Sequence, residues 1–381
     1  MPGLAGTHPW LNWRNRLLAS EGFRKLACRF APTRWIARRR ASALFDLVAG
    51  FVYSQVLLAC VRLKLFDVLA DGPQSLETLA HRLSLGLPAA ERLLNAAVPL
   101  QLVQRCAPNA YGLGTLGATM VGNTAVAAMV EHHGALYADL ADPVALLRGE
   151  SGATQLSAFW PYARGQAAIG DERVARYTAL MAASQPLVAD ELLDAYSLDQ
   201  HRCLLDIGGG DGSFLLRAAQ RGPHLQLLLF DLPAVASAAH LRLRQHGLST
   251  RCRVVGGSFF EDPLPGGADL ATLVRVIHDH NDAAALQILT AARRALQPGG
   301  TLLLAEPMAG TASAQAMGDA YFGLYLLAMG SGRPRTRDQL RGLLLAAGFE
   351  SVRSLPTRMP LQTSLMLARS PRSHWVAKTN V

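Results

Sequence analysis

The segment VRVIHDHND, residues 274–282, places His278, Asp279, His280 and Asp282 within five positions. Three chemistries fit such a cluster: a metal site, a catalytic base with neighbours, or a polar strand end. His278 and His280, two apart, share a face only in extended backbone. No matching His, Cys or Asp cluster elsewhere offers a third ligand, so no metal is expected. A histidine at a strand end suits proton transfer near neutral pH. A second segment, LLDIGGGDGSF at 204–214, sets Asp206, Gly208, Gly210 and Gly212 as D-x-G-x-G-x-G. Glycines there let the chain turn sharply and let a ligand approach the backbone. A dinucleotide fingerprint would place glycine where Ser213 stands, so that match is imperfect. Asp231 ends the run LLLFDLP, about twenty residues on, where an acid accepts hydrogen bonds from ribose hydroxyls.

Both segments sit in a strand–helix alternation that begins at Cys203. The apolar runs CLLDIG, LQLLLFDLP, CRVVGGSFF, DLATLVRVIHD and TLLLAEP alternate with helical patterns. They predict an α/β fold with a mostly parallel sheet covered on both faces. The final pair, ESVRSLPTR and QTSLMLARS, has no intervening helix and predicts an antiparallel edge. Upstream, residues 43–70 read as one helix stopped by Gly72-Pro73, and Ser75 caps the next. A further helix and the hairpin VQRC-APNA-YGLG complete a winged-helix pattern. Its expected recognition helix, 88–100, offers only Arg92. Phosphate contacts need several cations, so nucleic acid is not expected. The reading divides the chain into an arm (1–40), a helical winged-helix domain (41–150), a catalytic domain (151–372) and a tail (373–381).

The net charge of +9 is concentrated: residues 1–40 carry +8 and the remainder +1. That arm interleaves Trp10, Trp13, Phe23, Phe30 and Trp35 with arginines. Such a segment suits an anionic membrane surface, or packs as a helical extension. The most apolar window, 43–63, contains Asp46, Ser54 and Gln55, and reads as a buried or intersubunit helix rather than a bilayer span. Five scattered cysteines without C-x-x-C point to a reducing cytoplasm.

The motifs LLDIGGGDG, FDLP, GGSFFEDPLPGGADL, RVIHDHND, LQPGGTLLLAEP and GSGRPRTRDQLRGLLLAAGF follow one another in the order of a known family. Over residues 45–370 the chain resembles the class I S-adenosylmethionine-dependent small-molecule O-methyltransferases, typified by caffeate and acetylserotonin enzymes. The resemblance implies a Rossmann-like methyltransferase domain with a seven-stranded sheet, a winged-helix dimerisation domain and a homodimer. It implies that Gly208–Gly212 cradles the methionine part of S-adenosylmethionine and Asp231, followed by Leu232, holds the ribose. It places Gly257, Ser258 and Phe259 beside the adenine, with Ser258 where the family has Asp, and Arg275 on the cofactor side. It makes His278 the general base, oriented by Glu306. His280 stands where the family has tryptophan. Pro334 stands where a second carboxylate is often found, and Asp279 is the residue that could compensate.

The resemblance puts Phe159, Trp160, Tyr177, Met181, Phe322, Tyr325 and Met329 around an apolar acceptor, with Ser184 on the closing segment. More narrowly, the chain is similar to the carotenoid O-methyltransferases of photosynthetic bacteria. These methylate the tertiary 1-hydroxyl of acyclic carotenoids such as hydroxyneurosporene and demethylspheroidene. A phenolic or aromatic polyketide acceptor is the alternative within the family. A winged-helix regulator that only senses the cofactor is the alternative outside it. The expected location is cytoplasmic, with peripheral contact at the inner or intracytoplasmic membrane.

Overall fold

Lys64 breaks the long helix that apolar periodicity predicts for residues 43–70. Its φ of 54° is left-handed, and the chain restarts as a short helix, Leu65–Ala70. The computed structural model describes residues 9–159, 171–312, 314–360 and 363–372, with Phe159, Tyr177 and Ser184 given by backbone alone. Contacts divide the chain into two units, Met1–Asn123 and Thr124–Val381.

In the first unit the basic arm forms helices Pro9–Ala19 and Glu21–Arg29, and a third, Ala31–Arg62, follows. Ser20 caps the second by accepting from Phe23 N. The third begins inside the arm and is long and apolar enough to cross a membrane, by length and composition. The sequence discounted this stretch partly on Ser54, whose hydroxyl instead bonds back to Gly50 O and Phe51 O. It is not buried within its unit: Leu44, Phe45, Leu47, Val48 and Phe51 are each more than 60% exposed. Beyond it, Ser75 caps Leu76–Arg82 as expected. Strands β1 (Gln74–Ser75), β2 (Val103–Ala107) and β3 (Ala110–Leu113) form the wing, in order β1-β3-β2. Leu65, Leu69, Leu79, Leu94 and Tyr111 make the core beneath it.

The second unit holds seven strands: β4 (Cys203–Ile207), β5 (Gln226–Asp231), β6 (Cys252–Gly256), β7 (Ala268–Val274), β8 (Leu296–Glu306), β9 (Glu350–Leu355) and β10 (Ser364–Arg369). Their order is β6-β5-β4-β7-β8-β10-β9. The first five are parallel, and β10 runs antiparallel to both β8 and β9. Alternate residues explain the continuous apolar runs: Leu205 and Ile207 join one core, Leu204 the other. Full burial of each leucine contributes about 2 kcal/mol. Strand order reverses between β4 and β7, and the carboxyl ends there frame a crevice.

Two local features depart from the sequence reading. Residues 124–150, grouped above with the winged helix, cluster with the second unit. Their helix Thr124–Asp139 carries His132 and His133, which bond to Tyr325 and Tyr321. His278 is also not at a strand end. β7 stops at Val274, Arg275 takes a left-handed φ of 57°, and Ile277–Asp279 forms a 3-10 turn. The cause is Glu306, whose Oε1 accepts from Val276 N and Ile277 N and draws the backbone out of the ladder.

Candidate active site

At the end of β4 the chain turns through Gly208, Gly210 and Gly212, with φ of 70°, 57° and 81°. Only glycine fits the first, because a Cβ there would lie 2.8 Å from Val276 Cγ2. At Gly210 a Cβ would meet no atom within 4 Å, so the backbone there is open to a ligand. Asp231, at the end of β5, is tied to this turn. Gly210 N donates to its Oδ2 at 2.8 Å, and Leu232 N donates to its Oδ1 at 2.7 Å. These two bonds hold the carboxylate at the turn.

The turn opens onto a cavity walled by Gly208, Gly209, Gly210, Asp211 and Asp231. Phe259, Val274, Arg275 and Val276 also line it. Asp279 and His280 also reach it. The helix Asp171–Ala195 contributes Met181, Ala182 and Gln185. Arg275 fastens that helix, donating to Met181 O at 2.9 Å and to Gln185 Oε1 at 2.6 Å. An open glycine turn, a carboxylate ready for hydroxyls and an aromatic wall fit a ribose-bearing cofactor.

Five further residues expected on the cofactor are not among those that line this cavity. Asp206 is buried under the turn and accepts from Thr272 Oγ1; burial pushes its carboxyl up to about 7, and the hydroxyl opposes that. It supports the loop. Gly212 packs against Leu243 at the start of a helix. Leu232 offers its backbone to Asp231. Gly257 packs on the Phe230 ring, and Ser258 N donates to Asp262 Oδ2 at 2.9 Å.

His278 sits beside the cavity between two carboxylates. Nδ1–H donates to Glu306 Oε2. Nε2 lies 3.1 Å from Asp279 Oδ1. Asp279 therefore does not replace a missing orienting carboxylate on Nδ1; it stands on the other nitrogen. Burial alone would push the imidazole down. The charges of Asp279 and Glu306, with the Glu306 hydrogen bond, outweigh burial and the opposing Arg275, and hold it above its ordinary value.

His280 behaves differently. Its ring lies edge-on to Phe259 and Phe260, at centroid distances of 6.1 and 5.6 Å. Burial, then His278 and Arg335, push it down to about 4. It is a neutral aromatic wall at physiological pH and a weak base.

Segment 332–336 contributes no carboxylate. It grips the backbone of the catalytic turn instead. Arg333 N donates to His278 O at 3.0 Å. The buried Arg335 donates to Ile277 O, His280 O and Asp282. Gly332 packs so closely that a Cβ would lie 2.2 Å from His278 O.

The expected acceptor residues separate. Met181 is on the cofactor cavity. Phe322 lies edge-on to His278, with centroids 5.9 Å apart. Tyr325 bonds through its hydroxyl to His132 Nε2 at 2.8 Å, and burial keeps that phenol protonated. Met329 packs into a core cluster with Leu136 and Leu156. Trp160 lies outside the described residues. Gln185 was missed, although it follows Met181 by four positions, the spacing of one helix face. Arg335 carried no such signal, because its partners lie more than fifty residues away. Among the described residues, no group of three His, Cys, Asp or Glu side chains could hold a metal ion.

Comparison with known proteins agrees with this geometry. An O-methyltransferase domain matches residues 137–350, and an O-methyltransferase dimerisation domain matches 45–130, which supports a homodimer. Demethylspheroidene O-methyltransferase of Cereibacter sphaeroides is 42% identical over 93% of this chain and 94% of its own. The enzyme of the same description from Rhodobacter capsulatus is 40% identical over 96% of this chain and 92% of its own. Human N-acetylserotonin methyltransferase, solved in complex with SAM, superposes with a TM-score of 0.72 at 26% identity, covering 87% of this chain and 98% of that one. The chain belongs to the O-methyltransferase family and carries that family's dimerisation domain.

Proposed function

We propose that this enzyme moves a methyl group from S-adenosylmethionine to the tertiary 1-hydroxyl of an acyclic carotenoid of the demethylspheroidene type. The observation that carries the chemistry is His278, backed by Glu306 and placed beside the glycine-turn cavity. Bound there, S-adenosylmethionine supplies an electrophilic methyl group. Asp231 would take the ribose hydroxyls and the 208–210 backbone the methionine end. Glu306 fixes the imidazole tautomer and leaves Nε2 as the nitrogen that takes the proton. His278 removes the hydroxyl proton as the oxygen attacks. Holding the reactants in line supplies much of the remaining acceleration. The acceptor assignment draws on the two demethylspheroidene enzymes, which match over nearly their whole length. Offering hydroxylated acyclic carotenoids and phenols together, then weighing the products, tests it. A mass gain on the carotenoid is expected; methylation of phenols alone would overturn the assignment.

The arm fits a lipid-soluble acceptor. Trp10, Trp13, Phe30 and Trp35 are each more than half exposed among a net charge of +8. Cations close to an anionic surface contribute about 1 kcal/mol apiece. We place the enzyme at the cytoplasmic membrane face, held by this arm. Deleting residues 1–30 is expected to release it from anionic vesicles while leaving activity on detergent-dispersed acceptor. Unchanged sedimentation with vesicles would move the contact off the arm.

A further inference from the structure

We propose that Asp279 stabilises the imidazolium that forms on His278 as it takes the hydroxyl proton, so that the base works between two carboxylates that divide its nitrogens. This rests on the acceptor reading above and deepens it. Glu306 occupies Nδ1. The reacting nitrogen, Nε2, faces Asp279 Oδ1 at 3.1 Å, and both side chains are only about 10% exposed. That separation is within reach of a charge-assisted hydrogen bond to the imidazolium. Asp279 also lines the cavity that begins at the glycine turn. One carboxylate thus touches the base and the space where hydroxyl and methyl donor must meet.

Its backbone is clamped on both sides. Arg335 holds Ile277 O and His280 O, and Arg333 N holds His278 O. The Asp279 position is therefore fixed relative to the imidazole rather than carried on a free loop.

The substrate O–H bond breaks and Nε2–H forms. The O–CH3 bond forms as S–CH3 breaks, and that electron pair stays on sulfur, leaving a neutral thioether. His278, now imidazolium, keeps the Nε2 proton beside the Asp279 carboxylate and yields it to water once product leaves.

The chemistry of the acceptor supplies the reason. A tertiary alkanol holds its proton far more tightly than a phenol. A second negative charge on the reacting nitrogen stabilises the imidazolium as it forms, where a phenol would need only one. The charged groups facing His278 are Glu306 from β8, Asp279 from its own turn and Arg275 before it. Next to them, Tyr325 feels the charge of Asp279, and His280 feels those of His278 and Arg335. Of the influences that raise the His278 imidazole, the charge of Asp279 is the largest.

Asp279→Asn keeps the shape and removes the charge. Its acid limb in kcat/KM is expected to move down by about one pH unit, the direction set by losing a nearby anion. Turnover of the aliphatic hydroxyl is expected to fall roughly 100-fold. Asp279→Glu, which keeps the charge, is expected to keep the limb within a few tenths of a unit. S-adenosylhomocysteine binding and thermal melting show whether each variant folds. Asp279→Ser, small and uncharged, replaces the amide variant if that one does not fold. An unmoved limb in the uncharged variant overturns the proposal and leaves Asp279 a packing residue. Should the wild type act only on phenols, the acceptor assignment fails, while the limb measured on a phenol still decides the role of Asp279.

Discussion

His278→Ala is expected to lose at least a thousandfold in kcat while binding S-adenosylmethionine within about twofold of wild type, a loss inside the usual range for a general base. The cofactor contacts do not pass through this ring. Gly210 lies in the turn after β4 and Asp231 at the end of β5, and the imidazole is not on the cavity wall with them. The variant should also fold. Glu306 keeps two donors, Val276 N and Ile277 N, so no bare carboxylate is left inside. The stability cost stays near that of one charged hydrogen bond, about 1–3 kcal/mol. His280→Ala is the control that separates the two histidines. Its imidazole, pushed down to about 4, contributes aromatic surface rather than basicity. Its loss is expected to raise KM for the cofactor with kcat nearly kept. If His280→Ala stops turnover and His278→Ala does not, the base has been assigned to the wrong ring. Rate against pH gives an independent check. His278 must be unprotonated to act, and its value is raised, so the acid limb falls above the ordinary histidine value.

The parts of this site written in one dimension were legible early. Three alternate glycines after an apolar run can only be a strand–helix turn, and all three take positive φ. Asp231, His278 and Glu306 each follow an apolar run, and parallel strands bring such ends to one edge of a sheet. What was not legible depends on contacts between distant segments. Nothing near Arg335 announces that it will grip carbonyls at 277 and 280. The pairing of His132 and His133 with Tyr325 and Tyr321 spans almost two hundred residues, and it ties residues of the helix Thr124–Asp139 to the second unit. The end of β7 was misplaced for a related reason. Apolar pattern continues through Val276 and Ile277, but a carboxylate on the neighbouring strand captures their N–H groups. The exposed face at Leu44–Phe51 shows the converse. Periodicity reports that a face is apolar, not what covers it.

Glu306→Gln is expected to cost roughly 100- to 1000-fold in kcat with little change in melting temperature, and the contrast with Glu306→Ala explains why. Glu306 is 1% exposed and fully used. Its Oε1 accepts from Val276 N at 3.0 Å and Ile277 N at 2.7 Å; its Oε2 accepts from His278 Nδ1–H. A glutamine can keep only the first of these roles. With its carbonyl oxygen toward the two backbone donors, its amide N–H₂ must face Nδ1. That forces Nδ1 to accept and moves the ring proton to Nε2, the nitrogen that has to take the substrate proton. The fold is satisfied and the tautomer is wrong, a combination that is severe for a histidine base. The reverse orientation sets the amide against two backbone N–H groups and is disfavoured. Alanine fails differently. It leaves both N–H groups buried without an acceptor, at about 1–3 kcal/mol each. The melting temperature should then drop by roughly 2–4 °C per kcal/mol. Both variants lose turnover, but only alanine loses stability. A glutamine variant that kept the wild-type rate would show that Glu306 holds the 276–278 backbone and has no part in orienting the base.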